Sequence, residues 1–341
     1  MTKIAILDDY IGVALEYGDW SALPGDAEIT VYREAIPPER LVEELARYEI
    51  VVITQQRARF PPAVLEGLPN LRLLVCNGRT SNVIDHQARI ERGILLCGTA
   101  ETDRPAASGS GYQVTRGLPA PSELAWALIF DVAKRVGIED RVIRAGGWQT
   151  GFPVLLAGKT LGLLGAGRLG GAMVPVAKAL GLDVVAWSPN LTKERCAELG
   201  VSLVTKDELL STADVLGVFL VLSERSRNTL DADDLAKMKA GAIVVNISRG
   251  PIVNEEALIE ALRSGRLAGA GLDVFDREPL PADHPFRSLD NVVVTPHIGY
   301  VTEQGFRAAW QRMAEDVAAY LAGSPIRVVT DAADCPPMAP Q

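Results

Sequence analysis

The stretch Thr160 to Met173, TLGLLGAGRLGGAM, constrains this chain more than any other. The apolar run TLGLL gives way to Gly165, Gly167 and Gly170 at GxGxxG spacing, and MVPVAKAL follows with helical periodicity. The pattern predicts a strand, a tight turn and a helix start. Glycine serves such a turn in three ways: it adopts a backbone conformation forbidden to side chains, lets the main chain approach a pyrophosphate, and allows close packing of helix on strand. The helix N-terminus adds unsatisfied N–H groups and the positive end of a dipole. An ordinary glycine-rich turn can share the spacing; the flanking strand and helix favour a dinucleotide site.

At 341 residues the chain exceeds what a single hydrophobic core usually holds, so two domains are expected. Hydrophobic residues make up 48%, enough for a sizeable core, and a net charge of −9 without basic stripes gives no reason to expect a nucleic-acid partner. MTKIAILDDY has no apolar run of secretory length, and LAWALIF is cut off by Asp131 and Lys134; the expectation is no membrane segment and a cytoplasmic location. Cys76, Cys97, Cys196 and Cys335 show no metal-binding spacing, so no metal site is read and free thiols are expected.

Short aliphatic runs at Lys3 to Leu7, Ile29 to Tyr32, Ile50 to Thr54, Leu71 to Cys76 and Ile94 to Cys97 alternate with helix-like segments. Continuous apolar strands of this kind indicate a parallel sheet covered on both faces. Residues 98–121, rich in Gly, Ser, Pro and Thr, read as a hinge carrying a long loop. One helix, PSELAWALIFDVAKRVGIEDRVIRAG, is expected next, with Ser122 as candidate cap and its apolar face in a core or subunit interface. Runs at Asp183 to Trp187, Asp214 to Leu220, Ala242 to Ile247, Gly269 to Val274 and Val292 to Thr295 predict a second α/β unit, and the last residues a loose tail.

Only three histidines are available as neutral-range acids or bases. His297, in VVVTPHIGY, stands at a strand's carboxyl end; His284, in ADHPF, and His86, after Asp85, read as structural. Arg249 follows AIVVNIS, and Glu278 follows GLDVFDR. A guanidinium at a strand end can grip a carboxylate with two parallel hydrogen bonds, and a carboxylate beside an imidazole fixes its tautomer and favours proton exchange with an alcohol or alkoxide. Each is also consistent with a surface salt bridge. Asn77, Gly78 and Arg79 open the loop after the fourth strand, where open α/β sheets place ligands; Arg79 reads either as a solvated charge or as a substrate contact.

With GKTLGLLGAGRLG, MKAGAIVVNISRGPIVNEEALIEAL, GAGLDVFDREPL and NVVVTPHIGY in order, the chain resembles the D-isomer-specific 2-hydroxyacid dehydrogenases from about Leu71 to Gly323. The resemblance implies α/β architecture with two doubly wound parallel-sheet domains: a flavodoxin-like substrate domain (1-103 plus 300-341) and a Rossmann dinucleotide-binding domain (104-299). It implies Arg249 on the substrate carboxylate and carbonyl, His297 as acid/base and Glu278 as its partner. Gly165, Gly167, Arg168, Leu169 and Gly170 would lie at the pyrophosphate, Ile247, Ser248 and Asp273 at the nicotinamide, and Val221 beside the adenosine; Ser188, Asn190 and Gly299 complete the cofactor set. The implied partners are a nicotinamide coenzyme, a small 2-hydroxy or 2-oxo acid and a second copy of the chain.

Three departures stand out. Where NAD-preferring members carry an aspartate after the second strand of the cofactor domain, this chain has Trp187-Ser188-Pro189-Asn190. Such an acid binds the ribose hydroxyls and repels a 2′-phosphate, so NAD(H) is expected with NADP(H) as the alternative, Lys193 and Arg195 lying nearby in sequence. The loop from Glu101 to Leu118 is longer than usual, a lid or a disordered segment, and Phe219 stands where a histidine is common. Formate-type dehydrogenases carry glutamine at the position of Glu278, which argues against that branch; a dinucleotide-sensing interaction protein of the same fold is the rival outside enzymes.

Overall fold

The computed structural model describes residues 1–54, 57–99, 118–330 and 338. The expected long loop, apart from Leu118, and the expected tail with Cys335, apart from Met338, lie outside the described residues. Two compact units are formed: described residues from 1–99 and 302–330 make the first, and 118–301 the second.

The first unit alternates β1 (Lys3–Leu7), α1 (Ala14–Tyr17), β2 (Glu28–Val31), α2 (Leu41–Leu45), β3 (Ile50–Ile53), α3 (Pro62–Glu66), β4 (Leu73–Cys76), α4 (His86–Glu91) and β5 (Leu95–Gly98). All five strands are parallel in the order β2-β1-β3-β4-β5. That is the flavodoxin-like winding, as expected. Strands β3 and β4 are buried along their whole length, which is why they read as unbroken aliphatic runs rather than as alternating ones.

In the second unit, α5 (Ala120–Lys134) and α6 (Val136–Arg144) precede β6 (Thr160–Leu164), α7 (Arg168–Ala179), β7 (Asp183–Trp187), α8 (Lys193–Leu199) and β8 (Ser202–Leu203). There follow α9 (Lys206–Thr212), β9 (Val215–Val218), α10 (Ala232–Lys237), β10 (Ala242–Asn246), α11 (Glu255–Arg263), β11 (Leu267–Leu272) and β12 (Val292–Val294). The parallel sheet runs β12-β11-β10-β9-β6-β7-β8. Its winding reverses between β6 and β9, and that switch point is where the Rossmann arrangement receives a dinucleotide. The last helix, α12 (Glu303–Leu321), belongs to the first unit and buries Trp310, Met313 and Val317.

Two expectations need correction. The single helix after Pro121 is two, because Arg135 sits in the left-handed region at φ 60° between α5 and α6. Arg135 is neither glycine nor proline, so the break does not fall on a breaker residue; the hydrogen bond from Gly137 N–H, two residues on, to Asp131 Oδ1 (2.6 Å) holds it. Ser122 is not a cap: Pro119 occupies that position, and the buried Ser122 hydroxyl donates to the Leu169 carbonyl at 3.1 Å.

Candidate active site

The glycine turn sits at the switch point, between β6 and α7. Gly165 has φ 101°, and a β-carbon there would come within 2.9 Å of the Phe219 carbonyl carbon at the end of β9. Gly170 is tighter still, since its β-carbon would stand 2.1 Å from the Gly165 carbonyl oxygen. At Gly167, which precedes the first turn of α7, a β-carbon would meet nothing within 4 Å. Two glycines are therefore demanded by the chain's own packing, while the third leaves open space in front of a twelve-residue helix's N-terminus. That cradle fits a dinucleotide pyrophosphate, with Arg168 exposed and Leu169 half-buried in the helix's opening turn.

Ser188, just beyond β7, starts a turn closed by Leu191 N–H on the Ser188 carbonyl at 3.1 Å, and Asn190 is exposed within it. Arg195, in the first turn of α8, pairs with Glu198 at 2.9 Å, and its Nη2 lies 3.6 Å from where a Gly171 β-carbon would be. One positive group thus reaches toward α7. Val221 follows β9 and is exposed, its carbonyl accepting the Ser226 hydroxyl at 2.7 Å. The Ser248 hydroxyl donates to the Leu220 carbonyl, so the loops after β9 and β10 are joined, and Ile247 is buried beneath them.

Three neighbouring strands deliver the candidate reacting groups. Arg249 follows β10, Glu278 follows β11 and His297 follows β12. Arg249 is exposed, and its Nη1 donates to the Ser248 carbonyl at 2.7 Å. His297 Nδ1 lies 2.7 Å from Glu278 Oε2, with side-chain exposures of only 12% and 16%. Glu278 Oε1 in turn accepts the Phe275 N–H at 3.1 Å, so its carboxylate is held on both sides.

His297 itself stands at φ 55°, a left-handed conformation uncommon for a side-chain-bearing residue. Asp273 maintains it. The Asp273 Oδ1 accepts the Thr295 hydroxyl at 2.7 Å and the Ile298 N–H at 2.8 Å, and Oδ2 accepts the Gly299 N–H at 2.9 Å. At 1% exposure Asp273 is almost wholly enclosed, and burial raises its carboxyl above the ordinary range against the pull of these donors and of His297. Nearby, burial and the Glu255 carboxylate push Asp276 up to about 6, with Arg227 and His284 opposing.

Asn77, Gly78 and Arg79 belong to the first unit, directly after β4. Asn77 is buried with its Oδ1 taken by the Thr99 hydroxyl at 3.2 Å; the Gly78 N–H donates to the same hydroxyl at 2.9 Å, at a φ of 106°. Arg79 is half-buried. His284, read as structural from the sequence, makes a 2.9 Å contact from Nε2 to Glu255 Oε1. Sequence reasoning missed that pair because the two residues lie far apart in segments with no shared periodicity. Cys76, Cys97 and Cys196 are buried and form no disulfide.

A family model described as D-isomer specific 2-hydroxyacid dehydrogenase, NAD binding domain, matches residues 126–299. The chain is 34% identical over 327 residues to a D-3-phosphoglycerate dehydrogenase of Archaeoglobus fulgidus, an overlap covering 95% of this chain and 58% of that protein. It is 32% identical over 343 residues to a hydroxypyruvate reductase of Blautia hydrogenotrophica, covering 96% of this chain and 99% of the relative. Thus it spans little more than half of the archaeal dehydrogenase and nearly all of the reductase. Among solved structures, a putative D-3-phosphoglycerate dehydrogenase from Ralstonia solanacearum is similar with a TM-score of 0.84 at 29% identity, covering 100% of this chain and 99% of that one. A phosphoglycerate oxidoreductase from Vibrio cholerae is similar with a TM-score of 0.83 at 30% identity, covering 95% and 100%.

Proposed function

Because the chain belongs to the D-isomer-specific 2-hydroxyacid dehydrogenase family, we propose that it transfers a hydride between a nicotinamide coenzyme and C2 of a small D-2-hydroxy or 2-oxo acid. The observation that carries this reading is the 2.7 Å contact between His297 and Glu278, two strand ends along from Arg249.

When bound, the reduced nicotinamide supplies the hydride. The protein's own groups do the rest. Arg249 orients the acid through its carboxylate and polarises the carbonyl, which requires the planar fork of a guanidinium. His297 donates a proton to the carbonyl oxygen in reduction and takes it back in oxidation. Glu278 on Nδ1 keeps Nε2 as the exchanging nitrogen and stabilises the imidazolium formed in oxidation. In this reading Gly167, Arg168 and Leu169 meet the pyrophosphate, Ser188 and Asn190 the adenosine ribose, and Val221 the adenine side. Ile247, Ser248 and Asp273 are taken as the nicotinamide side of the site. Asn77, Gly78 and Arg79 are taken as substrate contacts. NAD(H) is the coenzyme taken here, and NADP(H) is compatible because residue 188 carries no acid.

Assembly and location belong to the same proposal. A homodimer is supported by the exposed side chains Val136, Ile143, Trp148 and Phe152 on and after α6, Phe152 being 97% exposed. A cytoplasmic setting is supported by Cys76, Cys97 and Cys196, which form no disulfide; no helix of the described residues is long and apolar enough to cross a membrane.

The test is the absorbance of reduced nicotinamide while plain, hydroxylated, dicarboxylic and phosphorylated 2-oxo acids are offered with NADH and with NADPH. Oxidation with at least one acid is expected. A flat trace across the whole panel would replace catalysis with a dinucleotide-sensing role.

A further inference from the structure

We propose that Glu255 and His284 form a second imidazole–carboxylate pair whose task is to position Glu278, and through it His297; the inference rests on the hydride-transfer reading above. Two consecutive backbone amides carry the argument. The Phe275 N–H donates to Glu278 Oε1 at 3.1 Å, and the next amide, Asp276 N–H, donates to Glu255 Oε2 at 3.2 Å. Each carboxylate then uses its other oxygen on a histidine: Glu278 Oε2 on His297 Nδ1 at 2.7 Å, Glu255 Oε1 on His284 Nε2 at 2.9 Å. One turn of chain is thereby held through two consecutive amides by two carboxylate–imidazole pairs.

The tautomer of the rear histidine follows from its neighbours. His284 Nδ1 accepts the Phe286 N–H at 3.3 Å, so Nε2 carries the hydrogen and donates it to Glu255. Its ring lies 4.9 Å from that of Phe286, which stands 6.4 Å from the ring of Phe275. Side-chain exposures of 13% for His284 and 20% for Glu255 keep most water away from the pair, which strengthens its hydrogen bonds. Glu255 is also the first residue of α11, where a negative charge interacts favourably with the helix dipole. Rotation of the Phe275–Asp276 peptide would swing Glu278 away from His297. Nothing in this arrangement touches a reacting atom from His284, so its effect must pass through the turn.

The experiment uses the full chain with [15N]histidine, in which three histidines give separable signals. In His284→Leu, kcat for 2-oxo acid reduction is expected to fall about ten-fold with both KM values nearly unchanged, and His284→Gln, which keeps an N–H donor, should recover most of it. The solvent isotope effect on kcat should rise as proton transfer becomes slower. In a Glu278→Gln background, His284→Leu should add almost nothing, because both changes act on one contact. The His297 Nδ1–H signal should exchange faster with solvent in His284→Leu and in the isosteric Glu255→Gln. Full multiplication of the two losses, or an unaltered His297 signal in both variants, would overturn the proposal. Were the wild-type chain to turn over no 2-oxo acid, the functional reading would fail by itself, and the His297 signal would still decide for or against the clamp.

Discussion

Gly250 and Phe275 meet backbone to backbone: a β-carbon on Gly250 would stand 2.1 Å from the Phe275 carbonyl carbon and 2.5 Å from the Asp276 nitrogen. The residue after Arg249 is thus seated directly on the turn that carries Glu278. Gly250→Ala must push the two loops apart, because backbone on both sides has no rotamer to yield. We expect about 1–3 kcal/mol of lost stability by thermal melting. We also expect kcat/KM to drop about 100-fold as the reacting groups lose alignment. A variant melting and turning over like the wild type would show that the loops part freely.

Arg249→Ala should lower kcat/KM for the preferred 2-oxo acid by about 100-fold or more, on the scale of one lost charge-assisted pair. Arg249→Lys should recover little, since an ammonium cannot reproduce two parallel N–H bonds. Coenzyme affinity, measured by fluorescence titration, should stay close to that of the wild type. Activity retained on every accepted acid would remove Arg249 from the reaction.

Ser188→Asp introduces the acid missing after β7. It should weaken NADPH at least about ten-fold in KM while leaving NADH equal or better, because a carboxylate repels a 2′-phosphate and accepts ribose hydroxyls. Steady-state kinetics with both coenzymes is the check, and an unchanged ratio would place the adenosine ribose elsewhere.

Replacing Trp148 and Phe152 together by serine should leave the fold intact, as both are exposed in the single chain. Sedimentation velocity should then report half the wild-type mass. The same mass for both proteins would locate any dimer contact away from this surface.

In the first unit, Asp316 is fully enclosed, with one oxygen on Arg327 Nε at 2.8 Å and the other buried without a partner. Burial pushes its carboxyl from 3.8 up to about 7, with Arg327 and Arg312 opposing and Glu315 reinforcing. The unfolded chain gives up this proton at lower pH than the folded one. Its contribution to stability is therefore complete in acid and is lost as pH rises through about 7. Asp316→Asn should abolish that part of the decline, so the gap in melting temperature should move in the variant's favour as pH rises from about 4 to about 7 and stay constant above that. A constant gap in calorimetry would mean that Asp316 is ionised throughout.

Much of the architecture was legible because burial on both faces of a parallel sheet writes itself into the chain as aliphatic runs. Strands β1, β6 and β7 match their predicted limits, and the other predicted strands differ by a residue or two at their ends. The two-residue β8, exposed at the sheet's edge, left no apolar run to read. Nor did Arg135 announce the break between α5 and α6. The strand ends bearing Arg249, Glu278 and His297 could be found from local pattern, but their separations could not, because spacing along a chain does not encode which loops meet. For the same reason Glu255 and His284 were invisible as a pair.

The hydroxyl of Ser122, fastened to the Leu169 carbonyl, bears on how a coenzyme would be received. It ties the opening of α7 to α5 before anything arrives, so little disorder has to be quenched on docking. The contacts made on docking are then offset less by ordering of the site, so the same contacts yield tighter binding, with the scaffold rather than the visitor bearing the entropy of organisation.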